Sequence, residues 1–170
     1  MTNYYAVFFK NKSPYYIFAR LIEWVDGTDF SHCEIVKVVD DNWAEAICYG
    51  SVFPESRSIL LKEMVEHYEI KVIVPLVVKV KNPDVILTAL MNRSYSFVQI
   101  LLIGIKILTG SSISWLPYVK VNLSKILICT EAVGLFMQEA CQYKFEESPE
   151  MLSVEETLKI AMYNLPKNEV

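Results

Sequence analysis

Two histidines and four cysteines are the residues of this 170-residue chain best suited to nucleophilic chemistry. His32 lies in the run Ser31-His32-Cys33-Glu34-Ile35-Val36. On a strand, alternate side chains share a face, so His32 and Glu34 point one way and Cys33 the other. Two residues along a strand span roughly 6.5 Å, which lets a glutamate carboxylate reach an imidazole nitrogen. Such a carboxylate fixes the tautomer and leaves the second nitrogen free as a base. By spacing alone, a surface histidine beside a surface glutamate is the commoner arrangement. Cys129 lies in Ile126-Leu127-Ile128-Cys129-Thr130-Glu131-Ala132-Val133, between an apolar run and a helical one. That places it near a helix start, where free N–H groups and the positive dipole end favour a thiolate. Composition alone favours a buried core thiol here. Cys33, Cys48 and Cys141 read as core residues, and His67 has no nameable partner.

The rest of the chain must bring these groups together. Residues 4–9 are a β-branched and aromatic run and read as a buried strand. Ser13-Pro14 reads as an N-cap with proline at the first helical position, and Ile17, Leu21, Ile22 and Val25 follow at helical spacing up to Asp26-Gly27. Residues 32–39 and 43–49 read as antiparallel strands joined by Asp40-Asp41-Asn42. Residues 50–58 read as a polar loop, and 68–80 as a strand broken by Pro75. After Asn82-Pro83 the pattern turns helical, over 84–92, 97–108 and 129–142, with an irregular loop over 115–122. Ser153-Val154-Glu155-Glu156 matches a capping box and starts a last helix. With no internal repeat and no linker, the expected fold is one α+β domain over residues 1–170.

Composition narrows the classes further. At 53% hydrophobic against 21% charged residues, the chain can bury enough surface to offset its ordering entropy, which excludes disorder. A net charge of −4 gives no electrostatic reason to track a phosphate backbone, so nucleic acid is not an expected partner. No G-x-S-x-G elbow, glycine-rich phosphate loop or C-x-x-C pair occurs, so a serine hydrolase, a nucleotide site and a zinc site are not expected. No metal and no cofactor is implied. The apolar run over 97–108 is shorter than a spanning helix needs, and contact with membrane lipid is not favoured. The first five residues show no secretory pattern, which makes reduced thiols in the cytoplasm the expectation.

Taken in order, these segments resemble the circularly permuted NlpC-like papain-fold cysteine hydrolases, the YiiX-type group of bacteria, phages and poxviruses, with lecithin retinol acyltransferase as a distant relative. The group's pattern is roughly S-H-V-E-I, then Y-D-F, then C-S-E-L-V, then a late S-P or T-P. Here these segments are Ser31 to Ile35, Tyr95-Ser96-Phe97, Cys129 to Val133, and Ser148-Pro149. Histidine before cysteine, the reverse of papain, is the order that permutation gives. Ser96 departs from the group's aspartate, and Thr130 replaces its serine.

The resemblance implies Cys129 as nucleophile, His32 as general base and Glu34 as the group that orients the imidazole. It implies a small antiparallel sheet carrying the histidine, packed against the helix that carries the cysteine. The expected activity is a cysteine-dependent amidase or peptidase working through a thioester acyl-enzyme on a peptide, isopeptide or acyl substrate. A lipid-directed thioesterase or acyltransferase is the alternative, suggested by the distant relatives, by the apolar 97–108 run and by Trp115-Leu116. A catalytically silent interaction module is the third. Tyr4, Ser51 and Tyr95 are candidate substrate contacts, with a core role open for the aromatics.

Overall fold

In the computed structural model, described over residues 1–52, 55–91, 93–95, 97–109, 126–146, 148–149 and 152–165, the chain is an α+β protein built on one seven-stranded sheet. The long strands are β1 (Thr2–Asn11), β2 (His32–Val39), β3 (Ile47–Val52), β4 (Glu55–Leu60) and β5 (Tyr68–Leu76). They pair antiparallel in the order β5-β1-β2-β3-β4. Two short strands, β6 (Ser94–Tyr95) and β7 (Ile126–Leu127), extend the sheet past β4, and these two pair parallel. The helices are α1 (Ile17–Asp26), α2 (Leu61–His67), α3 (Pro83–Leu90), α4 (Phe97–Thr109), α5 (Cys129–Glu139) and α6 (Val154–Tyr163).

β1 reads as continuously apolar because both faces of the sheet are covered. Tyr4, Ala6 and Phe8, with Cys33 and Ile35 of β2, point to the face packed by Ala132, Val133, Phe136 and Met137 of α5. Val7 and Phe9, with Val36, Val38 and Cys48, point to the opposite face, closed by Leu61 and Met64 of α2. A one-residue slip of β1 would exchange these two sets, so side-chain parity pins the register Phe9↔His32 and Val7↔Glu34. That register delivers His32 to the first position of β2, at the sheet's end.

Local signals account for most element ends. Gly27 closes α1 in the left-handed conformation (φ 66°), where a side chain would be strained. Pro83 opens α3, and Ser153 and Glu156 form the reciprocal capping box of α6. Other expectations are corrected. α1 starts at Ile17, with Tyr16 at its N-cap and no side-chain cap, while the Ser13 N–H donates to Asn11 Oδ1 in a local turn (2.8 Å). The second hairpin strand begins at Ile47 rather than 43, since Trp43–Glu45 form a turn of 3₁₀ helix. The expected loop over 50–58 is instead the β3–β4 pairing, in which Gly50 opposes Arg57 and Ser51 opposes Ser56. His67 ends helix α2, which the sequence reading missed, directly before β5. Pro75 does not break β5, because β5 is an edge strand and gives up no interior ladder bond there. The expected loop over 115–122, including Trp115-Leu116, lies outside the described residues, as does Ser96. Among the described residues no helix is long and apolar enough to cross a membrane.

Candidate active site

Glu34 reaches His32 along the same face of β2, and its Oε1 lies 2.9 Å from the imidazole Nε2. Both groups are buried, at 2% and 7% exposure, which removes the reading of a solvated surface pair. Phe9 and Tyr68 flank the imidazole, with ring centroids at 6.2 and 5.5 Å, so the ring has little freedom to swing away. With Nε2 bound to the carboxylate, Nδ1 is the ring nitrogen left for a second partner.

The thiol beside this pair arrives from a late segment of the chain. Ile128 is extended and Cys129 is the first residue of α5, so the thiol sits at the helix's N-terminal end, as expected. Packing of α5 onto β2 places its sulfur beside the His32 imidazole and the Cys33 thiol, close enough for both to act on its ionisation. The Cys33 thiol, donating to that sulfur, is the strongest influence holding Cys129 well below the ordinary thiol range. Burial opposes this, while the charge and hydrogen bond of His32 and the backbone N–H of Cys33 reinforce it. Burial would by itself push His32 down, but the Cys129 sulfur and then Glu34 outweigh it and hold the imidazole well above its usual range. A thiolate and an imidazolium supported by a carboxylate is therefore the favoured charge state. Cys33 itself is held protonated, first by burial, then by its hydrogen bond to the Cys129 sulfur and by the charge there.

Cys33 thus has a part that strand parity did not disclose. Its side chain does point away from Glu34 into the core, as expected, but that is the face on which α5 lands. Cys48 is core as expected, yet its thiol faces Glu34, and burial followed by that carboxylate raises it. Gly50 was missed altogether. A Cβ there would lie 2.5 Å from Glu34 Cγ and 2.8 Å from its Oε1, so the carboxylate occupies the space a side chain would need. Its only sequence signal is a glycine inside a strand, which marks a close approach.

Among the substrate-contact candidates, Tyr4 is in the core, stacked near Phe136 of α5 (centroids 5.5 Å apart) with its hydroxyl donating to Asp84 Oδ1 at 2.9 Å. Ser51 is fully buried on β3. Tyr95 lies on β6, paired with Leu127, two residues before Cys129. Pro149, of the late Ser148-Pro149 segment, lies over Gly134 of α5, where an added Cβ would meet it at 3.0 Å.

Cys129 opens onto a cavity of about 440 Å³ between α1, α4 and the start of α6. Thr130 shares this wall, and its Oγ1 is buried without a hydrogen-bond partner among the described residues. Such an orphan hydroxyl beside a thiol is an available donor. Also among the described residues, no group of three His, Cys, Asp or Glu is placed to hold a metal ion. In comparison with known proteins, no family model matches the chain and no curated protein matches its sequence.

Proposed function

We propose that the protein is a cysteine-dependent acyl-transferring hydrolase in which Cys129 is the nucleophile, His32 the general acid and base, and Glu34 the residue that orients the imidazole. The observation that carries this reading is the meeting of side chains from two distant segments, Cys129 on α5 with His32 and Glu34 on β2, where Cys129 also lines a cavity. A buried thiolate beside an imidazolium is costly unless the pair is used or fully compensated, and perturbed groups in a cleft mark functional sites.

In the reaction, the Cys129 thiolate attacks a carbonyl carbon to form a tetrahedral oxyanion. The first N–H groups of α5 have no intrahelical acceptor and point toward that oxygen. The orphan Thr130 hydroxyl supplies a second donor. The His32 imidazolium then gives its proton to the leaving amine, alcohol or thiol, leaving a thioester on Cys129. Neutral His32 next draws a proton from water, which attacks the thioester, releases the carboxylic acid and restores the ion pair.

Mass spectrometry after incubation with an electrophilic acyl probe tests this. A single adduct on Cys129, lost in His32→Ala, is the expected result. Thr130→Val should slow deacylation roughly 10²-fold, the scale of one oxyanion donor, with Thr130→Ser retaining most of the rate. Equal labelling of His32→Ala, or labelling spread over the other thiols, removes the assignment.

A further inference from the structure

We propose that Cys33 and Cys129 form a reversible redox pair, in which hydrogen peroxide oxidises the Cys129 sulfur and Cys33 captures the product as a disulfide that switches the site off. This rests on the hydrolase reading above, since the sulfur withdrawn is the one that would attack substrate. Three observations support it.

The two sulfurs come from elements that pack against each other. Cys33 stands on β2 with its side chain on the face where α5 lands, Cys129 is the first residue of α5, and both belong to one buried cluster. The Cys33 thiol donates to the Cys129 sulfur, and the Cys33 backbone N–H reinforces that contact. A serine at position 33 could supply the same donor, but only a second sulfur can also bond to the first.

The surroundings give the two thiols different parts. Cys129 lines the cavity of about 440 Å³, through which a molecule as small as peroxide reaches its sulfur, whereas Cys33 is fully buried behind it. Cys129 is the ionised member of the pair and Cys33 the protonated one. Peroxide oxidises thiolates, so the reaction starts at Cys129 and Cys33 remains to resolve it.

The other two thiols are placed where they do not compete. Cys48 points to the opposite face of the sheet. Cys141 lies past the far end of α5, a helix of 11 residues and so about 16 Å long. All four cysteines are free, so the pair stands here in its reduced form.

In the first step the Cys129 thiolate attacks one peroxide oxygen and the O–O bond breaks. The sulfur becomes a sulfenic acid, and the displaced hydroxide takes the His32 proton and leaves as water. The Cys33 sulfur then attacks the Cys129 sulfur and the S–O bond breaks. The departing hydroxide leaves as water with the Cys33 proton. Peroxide is thus reduced to two waters while the two thiols lose two electrons. A dithiol reductant returns those electrons, with one proton going to Cys33 and one to His32.

The test treats the full chain, reduced and freed of reductant, with hydrogen peroxide and then blocks remaining thiols with N-ethylmaleimide in denaturant. Peptide mapping should find one disulfide, between Cys33 and Cys129, with Cys48 and Cys141 blocked as free thiols. The electrophilic acyl probe should label Cys129 in the reduced protein, fail on the oxidised one, and label again after dithiothreitol. In Cys33→Ser, which keeps a donor but has no second sulfur, dimedone should trap a sulfenic acid on Cys129. Excess peroxide should carry that variant on to sulfinic acid, so labelling recovered by dithiothreitol falls roughly tenfold below the parent. Mapping of the parent chain decides the question by itself if the variant does not fold. Acyl labelling of Cys129 in a parent whose Cys33 stays a free thiol after peroxide overturns the redox pair and leaves the hydrolase reading standing. A disulfide joining Cys129 to Cys48 or Cys141 also overturns the pair. A Cys33–Cys129 disulfide in a protein whose reduced Cys129 takes no acyl probe retains the pair and overturns the hydrolase reading.

Discussion

Gly50→Ala is the most discriminating perturbation, because it touches neither the thiol nor the imidazole and acts through a single steric contact. The added Cβ would lie 2.5 Å from Glu34 Cγ, 2.7 Å from Cδ and 2.8 Å from Oε1. Carbon atoms rest at about 3.5–4.0 Å, so the carboxyl must retreat by roughly 1 Å. The Glu34–His32 contact is now 2.9 Å, and a retreat of that size takes it past hydrogen-bonding distance. A hydrogen bond to a charged group contributes about 1.5–3 kcal/mol. Its loss should lower the imidazole toward its usual range. Weakening the imidazolium weakens the thiolate beside it, so the rising limb of Cys129 alkylation by iodoacetamide should move to higher pH. Turnover should fall about 10²-fold, the scale of a 1 Å misplacement. Overpacking should also lower stability by about 1–3 kcal/mol, which thermal unfolding reads separately. The decisive comparison is a double-mutant cycle with Glu34→Ala. Once the carboxylate is gone, the added methyl has nothing to displace and should change neither the alkylation limb nor the rate. Additive effects of the two substitutions, or a folded Gly50→Ala protein with an unmoved limb, would refute the reasoning.

Two further outcomes follow from the same geometry. Cys33→Ala removes the strongest influence holding the Cys129 thiol down, so its alkylation limb should shift toward ordinary thiol values, while Cys33→Ser, which keeps a donor, should restore most of the reactivity. Asp26 is pushed up to about 6, chiefly by burial and against the N–H groups of Val154 and Glu155, with Glu155 adding repulsion. A carboxyl raised in the folded state contributes stability that is present below its unfolded value and lost as pH rises through about 6. Asp26→Asn should therefore match the parent near pH 4 and exceed it by roughly 3 kcal/mol above pH 7 in denaturant unfolding; a constant difference across that range would sink the account.

Much of the framework was legible in the chain because it rests on local physics. The span of β2 could be read from its apolar run, the end of α1 from a glycine needing positive φ, and the start of α6 from a capping box whose two hydrogen bonds lie within four residues. The His32–Glu34 contact was likewise readable, since two-residue strand periodicity alone sets it. Cys129 at a helix start follows from an apolar run turning into a helical one. The 50–58 segment was misread because its glycine and serines are poor strand formers, and pairing with β3 overrides that propensity.

What tertiary structure alone decided is which of these groups meet. The sequence determined an early strand with histidine and glutamate on one face and a late helix opening on a thiol. Parity placed Cys33 on the far face, but only the docking of α5 made that face the one from which its thiol meets Cys129. Gly50 matters because β3 lies beside β2 in the register that puts Glu34's carboxylate over it, a relation with no local trace. The aliphatic cavity likewise belongs to no segment, since its walls come from α1, α4 and the start of α6. Short-range hydrogen bonds and periodicity are written residue by residue, whereas contacts between distant elements are set by burial of the whole core, which no window of sequence contains.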